Sequence, residues 1–421
     1  MPALLARTRP LGPAFDLLAN YRAGGFFFER AGLGVSATGV ADRVGVDGGA
    51  DRIWMLAREI GARLREIRRQ AGRAPIAVGA IPFDDAWPAH LVIPERTVIR
   101  RDPGQTWQVD VFPEGFAPLH AERERWTGRA LPHDAFDDLH LRPDPEPDDY
   151  AKAVREATYR IREGELRKVV LARSIVVAAD RALDAKQLLW RLRAVDPDCW
   201  AFATPELAQE GGEVLPTGVL VGATPELLVS KTGDQLAATP LAGSAPRHGD
   251  PDEDRASADR LFDSAKDREE HALVVEDVAR ELGPLCEELT HPREPELLGT
   301  ANVWHLATPF RGRSKASVHS ALDLVAALHP TPAVCGTPRD AARIVLAELE
   351  PLDRGCYAGP VGWVDADGDG EWAIALRCAE ITGTTARVFA GAGIVADSDP
   401  ELELDETERK FRAFLDSLRW G

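Results

Sequence analysis

The chain has 421 residues, of which 44% are hydrophobic, so it is long and apolar enough to bury a large core. Its formal net charge of -18 argues against nucleic acid or an anionic membrane as the main partner, since both attract basic surfaces. The N-terminus lacks the basic and apolar regions of an export signal, and no run of 18 apolar residues predicts a membrane span. The five cysteines are an odd number without CxxC spacing, so we interpret them as reduced core residues of a cytoplasmic protein.

The first third of the chain contains short strand-like runs and one helical segment. Strands are predicted at residues 25–28 and 76–81, and a helix from about residue 53 to residue 70. At residues 141–149, three prolines and four acids follow a polar stretch without periodicity, which predicts a linker or a surface crossing. We therefore divide the chain into residues 1–140 and residues 149–421.

The second part of the chain alternates helical and strand-like segments. Tyr150, Val154, Ala157 and Ile161 recur at helical spacing, and a β-type apolar run begins at Lys168. Further helices are predicted over residues 254–289 and 400–418. Strands are predicted over residues 359–364 and 372–381.

Lys168 stands out because the chain has only seven lysines against 43 arginines. A lysine that is buried on a strand can lose its proton and act as a general base, whereas a guanidinium stays protonated. The alternative is an ordinary structural lysine in a chain whose composition favours arginine.

The acidic loop at residues 365–370 begins like the calcium-binding loop of an EF-hand. Leu376 occupies the position that would need the bidentate glutamate, so a hairpin turn is favoured. In the strand that follows, alternation puts Arg377 on a face of alanines, opposite Trp372 and Ile374. Such an arginine is a candidate clamp for a carboxylate, and a solvent-exposed arginine on an edge strand is the alternative.

Two predicted helices carry pairs of acids three residues apart, which therefore share a helix face. The pairs are Asp267 with Glu270 and Glu403 with Glu406, and Lys410 follows four residues after the second pair. Like charges so placed repel unless they are solvated or bridged by a cation. A few carboxylates together with an anionic substrate suit Mg²⁺, and a solvated acidic face is the alternative.

Glu226 lies between a turn and an apolar run. Burial there would raise its pKa and let it serve as a general acid, although an ordinary glutamate at the entry to a strand is the alternative. Gly391 and Gly393 formally fit a dinucleotide-binding pattern, but too little chain follows for the rest of that unit. We interpret these two glycines as allowing close approach of the backbone to a ligand or a neighbouring element.

Taken together, these segments resemble the chorismate-utilising family, which includes the isochorismate, salicylate, anthranilate and aminodeoxychorismate synthases. Seven motifs in order carry the resemblance: KVVLAR at 168–173, GATPEL at 222–227, PLAGS at 240–244, KDREEH at 266–271, WHLAT at 304–308, HPTPA at 329–333 and GAGIV at 391–395. Residues 149–421 would be the catalytic region, and residues 1–140, which match loosely, the variable N-terminal part of the same fold. The implied fold is α/β (α+β), with large antiparallel sheets packed face to face, helices outside, and the site in a cleft between the sheets.

The resemblance also implies a role for each residue. Lys168 would be the base that activates water for attack at C2 of chorismate, and Glu226 the acid that protonates the departing C4 hydroxyl. Mg²⁺ would be held by Glu270 and Glu406, with Asp267 and Glu403 assisting through water. Substrate contacts are expected from Gly243, Ser244, His305, Ala333, Tyr357, Arg377, Gly391, Gly393 and Lys410.

Departures from the patterns of particular members indicate the branch. Members that use ammonia lack a lysine at the position of Lys168, and aminodeoxychorismate synthase has a nucleophilic lysine where this chain has Ala242. Salicylate synthases carry threonine at the position of Ala333. The resemblance thus implies a monomer without a glutamine amidotransferase subunit that converts chorismate to isochorismate for siderophore or menaquinone synthesis. The alternatives are release of salicylate and pyruvate, or a catalytically silent homologue that binds chorismate.

Overall fold

A computed structural model describes residues 3–12, 15–69, 72–116, 136, 138–210 and 213–419. The strands in chain order are β1 (Leu4–Leu11), β2 (Phe26–Arg30), β3 (Leu33–Thr38), β4 (Asp42–Val46), β5 (Arg68–Arg69), β6 (Ile76–Ala80), β7 (Ala89–Ile93), β8 (Arg96–Asp102), β9 (Gln105–Pro113), β10 (Leu139–Asp144), β11 (Lys168–Ala179), β12 (Trp200–Glu210), β13 (Glu213–Thr224), β14 (Leu227–Thr232), β15 (Gln235–Thr239), β16 (Leu241–Pro246), β17 (Cys286–Thr290), β18 (Glu296–Gly299), β19 (Val303–Ala307), β20 (Phe310–Ser314), β21 (Gly336–Thr337), β22 (Pro360–Asp365), β23 (Gly370–Ile374), β24 (Cys378–Thr382) and β25 (Thr385–Ile394).

The helices begin at recognisable signals in the sequence. They are α1 (Leu17–Asn20), α2 (Arg52–Glu66), α3 (Pro147–Arg162), α4 (Ala185–Val195), α5 (Pro251–Asp263), α6 (Ala265–Leu282), α7 (Ala321–Leu328), α8 (Arg339–Leu349) and α9 (Pro400–Leu418). At the start of α9, for example, the Asp399 carboxylate accepts hydrogen bonds from two backbone N–H groups, and Pro400 occupies the first turn. An acidic cap and an early proline are both favoured there, because the first N–H groups of a helix have no partner within the helix.

The strands form two large sheets and a small one. The first large sheet has the order β10-β11-β25-β24-β13-β12-β2-β3-β8-β9-β1-β5, and β21 also pairs with β11. The second has the order β17-β20-β15-β14-β23-β22-β6-β7-β4, and the small third sheet has the order β16-β19-β18. Neighbouring strands are antiparallel, except that β1 and β5 are parallel. The expected architecture of large antiparallel sheets is therefore confirmed.

The main core lies between the two large sheets. Phe28 and Phe202 of the first sheet are buried in one cluster with Val361 and Trp372 of the second. On the outer face of the first sheet, α4 and α9 cover a second cluster, and α3 and α8 pack with β11 and β25 in a third. The helices α2 and α7 contribute to the main cluster. This arrangement confirms that the sheets pack face to face with helices outside.

Of the two alternatives predicted for residues 141–149, a linker or a surface crossing, the linker is wrong. Residues 139–144 form β10, which pairs with β11 at the edge of the first sheet, and Pro147 begins α3. Prolines are tolerated both on an edge strand and at the first position of a helix, so three prolines did not prevent regular structure. The division of the chain into residues 1–140 and 149–421 stays a prediction.

The single helix predicted over residues 254–289 is also wrong, because α5 and α6 are separate. Ser264 has an extended conformation between them, and its hydroxyl accepts a hydrogen bond from the Asp267 N–H. Serine favours this capping position over a helix interior, since its side chain competes for backbone hydrogen bonds. The predicted helix at 400–418 coincides with α9.

The cysteines and the acidic loop agree with the sequence interpretation. All five cysteines are free thiols, and all are buried except Cys356, which is partly exposed. The acidic loop is the hairpin turn between β22 and β23. Its carboxylates pair with guanidinium groups, as in the contacts of Asp369 with Arg101 (3.2 Å) and of Asp367 with Arg69 (2.7 Å). The turn is thus held by arginines.

Candidate active site

A cleft opens between the first large sheet and the small third sheet. Its walls come from β11, β16, β19, β25, α6, α9 and the chain segments beside them. The sequence-predicted residues that line it are Glu226, Gly243, Glu270, His305, Ala333, Arg377, Gly391, Gly393, Glu406 and Lys410. The expected position between the sheets is therefore refined, because one wall is the third sheet and not the second large one.

The other predicted residues contact side chains or backbone atoms of this lining. Lys168 contacts Glu270, and Ser244 donates a hydrogen bond to Glu406. Tyr357 stacks on Phe389 with ring centroids 4.9 Å apart, and its hydroxyl lies 3.1 Å from the position that a Cβ at Gly391 would occupy. Asp267 lies against Gly243, and Glu403 pairs with Lys266. The structure thus gathers all the predicted site residues around one cleft, most of them in its walls.

Two glycines on β25 make room for charged side chains. Gly393 is paired with Val170 on β11, the strand that carries Lys168. A Cβ added at Gly393 would lie 2.1 Å from Glu270 Oε1 and 3.1 Å from Lys168 Cε. A Cβ at Gly391 would lie 3.1 Å from the Tyr357 hydroxyl. The predicted close approach of the backbone to neighbouring elements is therefore confirmed.

Three carboxylates of the site are each paired with a lysine. Lys168 Nζ lies 2.9 Å from Glu270 Oε1, and the Lys168 side chain is 1% exposed. Lys266 Nζ lies 2.6 Å from Glu403 Oε1. Lys410 Nζ pairs with Glu406 and also donates to the Gly391 carbonyl at 2.8 Å. Three of the seven lysines in the chain therefore belong to this cluster.

Glu226 is the acid with the clearest environment for proton donation. It is 3% exposed, and burial raises its pKa to about 7. The charges of Lys168, Arg377 and Lys410 act in the opposite direction but do not outweigh burial. A carboxyl group with a pKa near neutrality can be protonated at physiological pH and still give up its proton. The raised pKa predicted for Glu226 agrees with this environment.

The acidic residues on α6 and α9 influence one another. Burial, together with the charge of Glu406, raises the pKa of Glu403 to about 7. Burial also raises the pKa of Asp267, and the charges of Glu270 and Glu406 add to that effect. For Glu406, burial opposes ionisation, but the ammonium of Lys410 and its hydrogen bonds outweigh burial and hold the pKa at about 2. Asp267, Glu270, Glu403 and Glu406 thus form one acidic cluster.

The donor set of this cluster fits Mg²⁺. Within the described ranges, no three His, Cys, Asp or Glu side chains are gathered as a ready-made metal site. Glu270 and Glu406, however, reach the same cleft from two different helices. Mg²⁺ is usually held by one or two carboxylates, with water and substrate oxygens completing its coordination. Two carboxylates on facing helices, with two more acids nearby, match that requirement.

Arg377 is placed by a turn and not by the strand that the sequence predicted. The strand expected over residues 372–381 is wrong, because β23 ends at Ile374 in the second sheet and β24 begins at Cys378 in the first. Residues 375–377 cross between the sheets, and Arg377 has a φ of 51°. Alternation along one strand therefore does not hold, and the crossing turns Arg377 into the cleft.

His305 orients Arg377. Its Nδ1 lies 3.1 Å from the Gly243 carbonyl, which can only accept, so Nδ1 carries the proton. Nε2 is then free to accept from Arg377 Nη2 at 3.2 Å. Burial lowers the pKa of His305 to about 3, and the charges of Arg377 and Lys410 contribute. A neutral His305 therefore holds the guanidinium in place without adding a charge.

Some members of the site were not assigned from the sequence. Lys266 was seen only as part of a motif, although the scarcity of lysine was a usable signal for it. Most of the apolar lining beside Ala333 was also missed, and it consists of Val170, Pro225, Leu241, Ala242 and Leu376. Nothing in their local sequence distinguishes these residues from ordinary core positions.

We expect Gly393→Ala to fold but to lose Mg²⁺ affinity. The new Cβ would displace the Glu270 carboxylate, which is the flexible end of a side chain, so the cost to the fold is small. Because the sequence predicts that Glu270 is a Mg²⁺ ligand, displacing it should also lower kcat/KM about 100-fold, as expected for a misplacement of about 1 Å. Mg²⁺ titration by calorimetry and steady-state kinetics would measure both effects. Gly391→Ala, which does not contact Glu270, should retain Mg²⁺ binding, and equal loss in both variants would contradict this account.

Nearly the whole chain is similar to known proteins. The sequence profile of the family described as chorismate binding enzyme matches residues 13–419. Isochorismate synthase DhbC of Bacillus subtilis (strain 168) is 40% identical over 408 residues, which cover 96% of each chain. Isochorismate synthase EntC of Escherichia coli (strain K12) is 38% identical over 358 residues, which cover 85% of each chain.

A solved structure gives the same result for the fold. The crystal structure of DhbC from Bacillus anthracis superimposes with a TM-score of 0.81 at 36% sequence identity, covering 96% of this chain and 99% of that chain. No helix in the described part of the chain has both the length and the apolar character needed to cross a bilayer. The family match spans nearly the whole chain and includes every residue of the cleft, so this protein belongs to the chorismate binding enzyme family.

Proposed function

We propose that this protein is an isochorismate synthase, an isomerase that converts chorismate to isochorismate with Mg²⁺. The observation that carries the proposal is the cleft that combines the buried acid Glu226 with an acidic cluster and the guanidinium of Arg377. Such a cleft suits a dicarboxylate substrate that must lose a hydroxyl group. The relatives named isochorismate synthases, which match over most of their length, support the same activity.

In the proposed reaction, Lys168 and Glu226 move the protons. Lys168 accepts a proton from water, whose oxygen attacks C2 of chorismate. Both conjugated double bonds of the ring shift, from C1–C2 to C1–C6 and from C5–C6 to C4–C5, and Glu226 gives its proton to the C4 hydroxyl, which leaves as water. One water is consumed and one released, so substrate and product are isomers. Lys168 is paired with Glu270 as an ammonium group. To act as a base, it must first give up one of its protons.

The remaining residues would bind and orient the substrate. Arg377, held by His305, would grip one carboxylate together with Tyr357. Glu270 and Glu406 would hold Mg²⁺, and Asp267 and Glu403 would assist through water. Bound Mg²⁺ would neutralise the ring carboxylate of chorismate and fix it in the cleft.

Further contacts to the ring substituents are proposed for Gly243, Ser244, Ala333, Gly391, Gly393 and Lys410. Most of these residues line the cleft, and Ser244 is hydrogen-bonded to Glu406. Salicylate synthases carry threonine at the position of Ala333, and alanine lacks its hydroxyl group. This difference supports release of isochorismate and not its further breakdown to salicylate and pyruvate.

We also propose a monomeric cytoplasmic enzyme that works without a glutamine amidotransferase subunit. That no amidotransferase subunit is needed rests on Lys168, since a water-activating base removes the need for a supply of ammonia. The product would feed siderophore or menaquinone synthesis.

Incubation with chorismate tests the proposed function directly. We expect isochorismate as the product in the presence of Mg²⁺, no product when EDTA is in excess, and no pyruvate in either case. Products would be separated by chromatography, and pyruvate would be measured enzymatically. Salicylate with equimolar pyruvate would instead establish a salicylate synthase, and absence of any product would indicate a silent homologue that binds chorismate.

A further inference from the structure

A buried ion pair lies next to the cleft but contributes no side chain to its lining. Arg354 and Glu350 are each 4% exposed. Arg354 Nε donates to Glu350 Oε1 at 2.5 Å, and Nη2 donates to Oε2 at 2.7 Å, so the contact is bidentate. The guanidinium also lies over the Phe83 ring, 4.3 Å from its centroid. The geometry of the pair is therefore fixed on several sides.

The other hydrogen bonds of this pair go to backbone atoms of two segments. Arg354 Nη2 donates to the Val170 carbonyl, and Nη1 donates to the Val334 carbonyl, both at 2.7 Å. The Ala172 N–H donates to Glu350 Oε2 at 2.8 Å. Arg354 and Glu350 thus join β11 to the segment around Val334 by side-chain hydrogen bonds.

Both segments form walls of the cleft. Val170 lies two residues after Lys168 on β11 and lines the cleft itself. Val334 follows Ala333, which lines the cleft from the other segment. The same two segments are also joined by backbone contacts, since β21 pairs with β11 and the Val170 N–H donates to the Cys335 carbonyl at 2.8 Å. This backbone pairing begins after Val334, so Arg354 and Glu350 extend the connection to the part of the segment beside Ala333 and help to fix its spacing from the Lys168 strand.

The contribution of a buried ion pair to folding stability is a weak explanation for its presence. Removing two charges from water costs free energy that their attraction often fails to recover, and an apolar pair of similar volume is frequently as stable. An apolar pair, however, cannot supply the planar set of hydrogen-bond donors with fixed directions that a guanidinium group has. A guanidinium that binds two carbonyls and a carboxylate at once fixes the distance between the groups that it contacts.

We propose that Arg354 and Glu350 are positioning residues that hold Lys168 and Ala333 at the spacing required by chorismate. This inference rests on the proposed function, since it assigns Lys168 the role of the base. The groups proposed to bind the substrate and Mg²⁺ are Arg377 and the carboxylates of α6 and α9. They lie on other elements than Arg354 and Glu350. Loss of the pair should therefore affect kcat much more than KM.

Two variants test the proposal. Glu350→Gln keeps the shape of the side chain but removes the charge opposite Arg354. The double variant E350M/R354M replaces both partners by apolar groups, which avoids an unpaired buried charge and should recover most of the thermal stability lost in a single variant. In the double variant we expect kcat to fall about 10- to 100-fold with KM nearly unchanged, as for a small misplacement of a reacting group. Amide exchange at Val170 and Ala172 should become faster.

A matched control is available at the end of α8, two residues before Glu350. Arg160 and Glu348 form an ion pair at 2.5 Å that links α3 to α8 on the surface, where the Glu348 side chain is 52% exposed. R160M/E348M should leave kcat, KM and amide exchange at β11 unchanged. A folded E350M/R354M protein with wild-type kcat and unchanged amide exchange would overturn the proposal. If the wild-type protein itself forms no isochorismate, it is the proposed function that fails, and amide exchange still tests the positioning.

Discussion

Glu226→Gln is expected to lower kcat about 100- to 10,000-fold, the range usual for loss of a general acid. Glutamine preserves the size of the side chain and a carbonyl oxygen, so the fold should persist at a site that is 3% exposed. The variant lacks a proton that can be delivered to the C4 hydroxyl. Steady-state kinetics with chorismate and Mg²⁺ would measure the loss.

The pH dependence of wild type and variant gives a second check on Glu226. Burial raises the pKa of Glu226 from its usual 4.5 to about 7, so wild-type kcat should fall as pH rises through about 7, and the variant should lose this dependence. Between pH 4.5 and 7, the folded state retains a proton that the unfolded state releases. Folding stability is therefore lost as pH rises, by at most about 3 kcal/mol. Glu226→Gln should accordingly be more stable relative to wild type at pH 8 than at pH 5.

Glu371 provides the matched control for Glu226. It lies on β23, burial raises its pKa, and its carboxylate accepts a hydrogen bond from Trp200 Nε1 at 3.1 Å. Glu371→Gln keeps an acceptor for that bond and should leave kcat near the wild-type value. Similar losses of kcat in the two variants, or near-normal turnover in Glu226→Gln, would contradict the assignment of Glu226 as the acid.

Lys168→Met is the second substitution with a large expected effect. We expect kcat to fall about 100- to 10,000-fold, because no group remains to accept a proton from the attacking water. The apolar stem of methionine fills the buried space, but Glu270 loses the ammonium that lies 2.9 Å from its carboxylate. Without metal, this loss should destabilise the fold by up to about 3–5 kcal/mol.

Added Mg²⁺ should distinguish the two roles of Lys168. Because the ammonium no longer competes for Glu270, Mg²⁺ should raise the melting temperature of Lys168→Met more than that of the wild type, although turnover stays low. Differential scanning calorimetry with and without Mg²⁺ would measure this. If Mg²⁺ gave the variant no additional stabilisation, Glu270 would not be a metal ligand.

Lys231→Met is the control for a lysine buried on a strand. Lys231 lies on β14, is 6% exposed, and donates to the Gly233 carbonyl at 2.7 Å. Its loss should reduce stability modestly and leave kcat unchanged. A kcat as low as that of Lys168→Met would show that losing any buried lysine disrupts the site, and the base would then be unassigned.

Local sequence patterns were sufficient to predict those helices and turns whose start and stop signals lie within a few residues of one another. The helix over 400–418 has an acidic cap, an early proline and a periodic apolar face, all of which can be read from the sequence. The acidic turn at 365–370 was likewise recognised as a hairpin. Patterns failed at residues 141–149, 264 and 375–377, where an edge strand, a helix cap and a crossing between sheets replaced the expected structure.

For the site, the sequence by itself determined the kinds of chemistry and the candidate residues. The scarcity of lysine singled out Lys168, spacing paired the acids on α6 and α9, and the ordered motifs indicated the family. Residue type fixes which groups can donate or accept protons or hold a cation, so these inferences need no coordinates.

Only the tertiary structure decided how those groups are arranged and charged. The pairing of Lys168 with Glu270, the pKa of Glu226 near 7, and the neutral His305 that holds Arg377 all depend on burial and on partners distant in sequence. The buried pair of Arg354 and Glu350 likewise joins segments separated by more than 160 residues, as the contact of Arg354 with Val170 illustrates. Electrostatic energies depend on distance and solvent exposure in three dimensions, and the order of residues along the chain specifies neither directly.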